Sequence, residues 1–173
     1  MRALLLLTAT LLAACTQPGR KTLAAPAPAF DPVAFFNGQV EGTGVYRRVL
    51  HRPKQVVTQI TGRYAEDHLQ LIQRVLIEDE PPIRRTWDLY RVAPNRWRGQ
   101  VTTASKPVLA EVRGNAFHLR YTAEHGMLFD EWYYLQPDGR SAINRTMVTD
   151  LGVDFARVEG MIRRRSEGLS PQP

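Results

Sequence analysis

From Gln39 onward, apolar and polar positions alternate in short runs, and this alternation predicts strands rather than helices. Val40, Gly42, Gly44 and Tyr46 alternate with Glu41, Thr43 and Val45. Further runs rich in Val, Ile, Thr and aromatics follow: Lys54 to Tyr64, His68 to Glu78, Ile83 to Val92, Arg96 to Thr103, Val108 to Arg113, Phe117 to Glu124, Met127 to Leu135 and Ser141 to Thr149. The breaks between them carry turn chemistry, including Glu80-Pro81-Pro82, Pro94-Asn95, Lys106-Pro107, Gly114-Asn115 and Pro137-Asp138-Gly139. With a last run from Phe155 to Arg164, the pattern predicts about ten strands at short, even spacing. Val153 to Arg165 reads two ways, because Phe155, Val158 and Ile162 also fit one helical face. A final strand kinked at Gly160 is the reading adopted. Upstream, Asp31-Pro32 predicts a capped helical turn through Phe36, with Phe35 and Phe36 buried and Asn37-Gly38 closing it.

Short links between successive strands favour antiparallel neighbours. So many strands would leave exposed edges unless the sheet closed on itself. The predicted architecture is an all-β, up-and-down, lipocalin-like barrel, or a strongly curled sheet approaching closure. A two-sheet sandwich is the alternative. A membrane-spanning barrel fits poorly, because Arg84, Asp88, Arg96, Arg98, Gln100, His118 and Arg120 occupy one face of their strands.

The N-terminus adds an address. Arg2 precedes an apolar run from Ala3 to Leu12 that is too short to span a bilayer, and Leu12-Ala13-Ala14-Cys15 reads as a bacterial lipobox. The expected organisation is a signal peptide over 1–14, a lipidated Cys15 with a Pro/Ala-rich tether to Ala29, one barrel domain over 30–165 and a disordered tail over 166–173. Acyl chains on Cys15 are expected to anchor the protein durably to a membrane. Thr16, in place of an Asp, favours the inner leaflet of the outer membrane, facing the periplasm. Cys15 is the only cysteine of the 173 residues, so an internal disulfide is excluded. The formal net charge of +6 suits a solvated basic surface or weak attraction to anionic headgroups. Export argues against nucleic acid as a partner.

Within the strands, the apolar faces suggest a lined interior. Trp97 and Val101 alternate with Arg96, Arg98 and Gln100; Phe117, Leu119 and Tyr121 alternate with His118 and Arg120; Trp87 and Leu89 flank Asp88. A small ligand held inside would need a cavity of roughly 300 Å³ or more. Phe129 to Leu135 is the densest aromatic segment, and Asp138-Gly139 joins it to Ile143-Asn144-Arg145 as a hairpin. A type I′ turn sets Trp132 opposite Arg145, allowing guanidinium-on-indole stacking with Asp130 on the same face. A shift of one residue sets Glu131 there instead. Arg145, between Ile143 and Met147, is then partly buried and in need of a carboxylate. The candidate ligand-binding residues are Trp87, Trp97, Phe117, Tyr121, Glu131, Trp132, Tyr133 and Arg145. No metal-ligand spacing joins His51, His68, His118 and His125, no Gly-x-Ser-x-Gly elbow occurs, and no cofactor or catalytic residue is assigned.

The lipobox at Cys15, Phe35-Phe36-Asn37-Gly38, Gly42-x-Gly44, Phe129-Asp130-Glu131-Trp132-x-Tyr134-Leu135 and Ile143-Asn144-Arg145 together resemble an uncharacterised bacterial lipoprotein family, the domain-of-unknown-function family 3833. The similarity runs from Phe30 to about Arg164. It implies a periplasm-facing lipoprotein and brings no catalytic residues. Its association with genes for fatty-acid-modifying enzymes leans toward lipid-related work. Three functions follow: a barrel that binds a lipid or other amphipathic molecule, an envelope accessory with a filled barrel, and an enzyme acting on lipid or isoprenoid through an isolated Glu131 or His118. The first is the reading adopted, with no enzymatic activity expected.

Overall fold

The computed structural model describes Leu23 and residues 25–165. The signal segment 1–14, Cys15 and the tail 166–173 lie outside the described residues. Asp31 caps a single helical turn, α1 (Pro32–Phe36), by accepting hydrogen bonds from Val33 N at 2.9 Å and Ala34 N at 3.2 Å. Pro32 stands at the start of the turn, where its missing N–H costs nothing. The turn ends at Asn37, as Asn37-Gly38 predicts.

The strands are β1 (Gly38–Arg48), β2 (Lys54–Ala65), β3 (His68–Ile77), β4 (Ile83–Ala93), β5 (Arg96–Val101), β6 (Val108–Arg113), β7 (Ala116–Thr122), β8 (Leu128–Leu135), β9 (Ser141–Asp150) and β10 (Val153–Arg164). Each pairs antiparallel with its neighbours in sequence, and β1 pairs with β10 from Val40↔Arg164 to Arg48↔Ala156. The sheet is therefore a closed up-and-down barrel with no edge, and the sandwich alternative falls. The ambiguous C-terminal segment is a strand. Its irregularity lies between Asp154 and Ala156, while the register runs unbroken through Gly160, where the sequence suggested a kink.

Gly160 has a different task. It faces Gly44 across the closing seam, where a Cβ on Gly44 would stand 2.6 Å from Glu159 O and one on Gly160 2.4 Å from Thr43 O. The missing side chains let the last strand approach the first closely enough to close the ring.

Alternation divides the side chains. Leu69, Leu71, Trp87, Leu89, Trp97, Val101, Phe117, Leu119 and Tyr121 are buried inside, while Arg84, Arg96, Arg98, Gln100 and Arg120 are exposed outside. One end is plugged by α1 and by Phe30, whose rings pack on Phe117 and Tyr133. The hairpins joining β1 to β2, β3 to β4, β5 to β6, β7 to β8 and β9 to β10 ring the other end, the mouth.

The chain before the plug is docked rather than free from Leu23 onward. Asn115, in the β6–β7 turn, accepts from Ala25 N at 2.6 Å and donates through Nδ2 to Leu23 O and Leu135 O, each at 3.1 Å. Asn115 N donates to Ala25 O and Phe30 N donates to Gly114 O, both at 2.8 Å. One amide side chain thus matches a donor and an acceptor of the approaching backbone. This docking takes up the later part of the stretch that the sequence reads as tether.

Candidate functional site

On β8, parity turns Phe129, Glu131, Tyr133 and Leu135 toward the interior and Asp130, Trp132 toward the outside. Glu131 is 3% exposed. A carboxylate so placed must be paired. Tyr121 donates to its Oε1 at 2.9 Å and Tyr133 to its Oε2 at 3.1 Å. Arg85, from β4, brings Nη1 to 3.7 Å from Glu131 Oε1 and donates to the Tyr121 hydroxyl at 3.1 Å. Its guanidinium also lies over the Phe129 ring, 5.4 Å from the centroid. Burial first, and the Glu131 charge second, push both phenols well above their usual range. The hydroxyls therefore remain donors to Glu131.

Gln73 stands directly opposite Arg85 on β3, and its Oε1 accepts from Trp87 Nε1 at 2.9 Å. With Thr58, Asn144 and Thr146, these side chains form a polar girdle halfway along the interior. Below it the barrel is filled. Trp87, Phe117, Leu119 and Tyr133 meet Phe36 of the plug, with a void of only about 10 Å³ between them. Above it a cavity of about 220 Å³ opens toward the mouth, walled by Tyr46, Val56, Ile77, Ile83, Met127, Phe129, Val148 and Phe155. The space is smaller than the roughly 300 Å³ expected of a ligand pocket, because the girdle and the Trp87 layer fill the lower half.

The structure distributes the sequence candidates unevenly. Glu131 and Tyr133 line the cavity, and Tyr121 supports them from behind. Trp87 and Phe117 belong to the filled layer beneath. Trp97 is buried nearer the plug, edge-on to Tyr64 and under the Arg91 guanidinium. Trp132 and Arg145 do face each other, as the hairpin register predicts. Both point outward, however, and the expected stack is replaced by other partners. Trp132 stacks on His118 at 3.8 Å and donates to Asp130. Arg145 pairs with Glu159 of β10 at 3.8 Å. The physical reason is parity: Ala142, Asn144, Thr146 and Val148 hold the inner face of β9, leaving Ile143, Arg145 and Met147 outside. His118 and Glu131 likewise lie on opposite sides of the wall, so they cannot act on one substrate. Outside, His118 Nε2 meets Asp130 Oδ1 at 3.1 Å. Among the described residues no cluster of three or more His, Cys, Asp and Glu is placed to hold a metal.

Arg85 and Gln73 line the cavity, and the sequence reading missed both. Each interrupts an apolar parity set, Ile83-Arg85-Trp87-Leu89 and Leu71-Gln73-Val75, and that interruption is the signal that could have found them.

Among solved structures, the S-type phycobiliprotein lyase CPES from Guillardia theta is similar at 8% identity with a TM-score of 0.59, over 77% of this chain and 89% of that chain. Rv2717c from M. tuberculosis is similar at 14% identity with a TM-score of 0.57, over 76% of this chain and 93% of that one. At such identities the likeness shows the barrel fold alone. No curated protein matches the chain. One family model, described as a protein of unknown function (DUF3833), matches residues 9–164.

Proposed function

The chain belongs to the DUF3833 family, and we propose that its barrel holds one small hydrophobic or amphipathic molecule, a lipid above all, in the chamber between the girdle and the mouth. The observation that carries the reading is the cavity itself: apolar walls, an opening at one end only, and a buried charge network as its floor. A barrel serving only as a spacer has no use for a chamber above a buried Arg85–Glu131 pair, since a filled apolar interior is as stable or more so. The accessory reading draws its support from the solid lower half. The lyase with a similar fold is an enzyme by its name; here the Glu131 carboxylate is already engaged by two phenols and faced by Arg85, which favours binding over acid–base chemistry.

Lipidation at Cys15 and attachment to the outer membrane complete the proposal, resting on the lipobox alone. They hold the barrel beside a lipid surface, attached from the plugged end. Delipidated protein should take up a fluorescent lipid at one per barrel, displaced by native lipid extract. Val148→Trp, which fills the chamber, should abolish uptake. Absence of uptake across several lipid classes would sink the binding reading. Cys15→Ser should move the protein from the membrane fraction to the soluble one, and a variant that stays with the membrane would sink the anchor.

A further inference from the structure

The girdle carries chemical information beyond the presence of a cavity. Around Arg85 and Gln73 its unused hydrogen-bonding capacity is that of donors. Both Glu131 oxygens already accept a tyrosine hydroxyl. Arg85 Nε is buried without a partner, although its guanidinium side chain is only 13% exposed. Gln73 spends its oxygen on Trp87 and lines the chamber with its amide nitrogen unspent. Arg85 and Gln73 both line the chamber with N–H donors beyond those already spent, so a polar group that meets them there is an acceptor.

Charge narrows the choice. Arg85 is already met by Glu131 at 3.7 Å, and the pair is neutral as a unit. A second anion beside it would leave one buried negative charge without compensation, and a cation would face the guanidinium. Position narrows it again. The polar girdle lies at the bottom of the chamber and mostly apolar walls rise above it to a rim where Glu80 is met by Lys54, so a polar group can reach the floor only by entering first.

We infer that the ligand is an uncharged carbonyl compound, seated head-first, with its carbonyl oxygen accepting from Arg85 and Gln73 and its apolar stem rising to the mouth. This deepens the binding reading above and rests on it. The chamber of about 220 Å³ holds the equivalent of about seven liquid waters, enough for a stem of about that many carbons. A longer chain extends beyond the rim.

A ligand series with one stem tests this on the full-length protein. Calorimetry with methyl octanoate, octanoate and octane should rank the ester at least about tenfold tighter than both others. Arg85→Met should reduce ester affinity about tenfold and leave octane unchanged. If Arg85→Met fails to fold, Gln73→Met and the wild-type ranking carry the test. Octanoate as the tightest ligand, or octane equal to the ester, would overturn the carbonyl assignment while leaving the binding reading standing. Failure of all three on folded wild-type protein, together with failure of the fluorescent lipids, would remove both.

Discussion

At the plugged end, the rings of Phe30, Phe35, Phe36 and Phe117 stand in contact, with centroids 5.0 to 6.2 Å apart. At the mouth, Leu50 and Leu151 are 98% and 96% exposed, with Val49 and Val153 beside them. Both leucines also sit at positive φ, 62° and 48°, a backbone region that suits Gly or Asn. The same barrel therefore concentrates its packing at one end and leaves apolar, strained hairpin tips at the other. The difference teaches that stability and access are separated along one axis. The plug and the Trp87 layer hold the ring, and the upper walls are free to frame a chamber.

The largest test of that separation is Phe36→Ala. This side chain is fully buried against Phe30, Phe35, Phe117 and Tyr133, and its loss should cost about 3–5 kcal/mol in urea denaturation. A cost below about 1 kcal/mol would show that the plug is not where stability resides. Asn115→Ala removes the bonds to Leu23, Ala25 and Leu135 and should cost about 1–3 kcal/mol. It should also raise hydrogen exchange at Ala25, leaving exchange in the upper halves of β1 and β10 unchanged. The girdle divides the two ends and answers to pH. Tyr121 and Tyr133 have phenols raised above the ordinary 10.0. Their contribution is thus complete below that pH and is lost as pH climbs past it toward the folded values. The urea midpoint should fall steeply above pH 10, and Tyr133→Phe should flatten the fall. A pH-independent midpoint would mean that the phenols are not held as described. The smallest effect has the opposite sign. Leu151→Asn relieves a left-handed leucine and should raise stability by up to about 1 kcal/mol. Destabilisation there would show that the rim is packed after all.

Much of the fold can be read from the residues because a two-residue period is hard to mistake when turns punctuate it. Asp31-Pro32, Asn37-Gly38 and the runs up to Ser141 all appear where their chemistry predicts. Closure itself was legible only as the absence of a good place for edges; the Gly44–Gly160 seam shows its cause. The site was less legible. Parity along β8 identifies Glu131 and Tyr133 together. Arg145, flanked by Ile143 and Met147, is half-buried and carboxylate-paired as read, but on the outer face, where apolar neighbours are also common. Arg85 was hidden for the opposite reason, since an arginine in a run with Arg84 reads as surface. Its partner Glu131 lies four strands away, and sequence spacing carries no record of a contact made across a barrel lumen.

The Asn115 clamp has a mechanical side. A pull on the chain upstream of Leu23 is borne by the β6–β7 turn, through Ala25 and Asn115, and then by Gly114 and Phe30 at the plug. The load enters at the pole opposite the mouth, and the rim hairpins stand outside its path. Tension on the N-terminus is therefore carried by the most densely packed part of the molecule, and the hairpins around the opening stay slack under it.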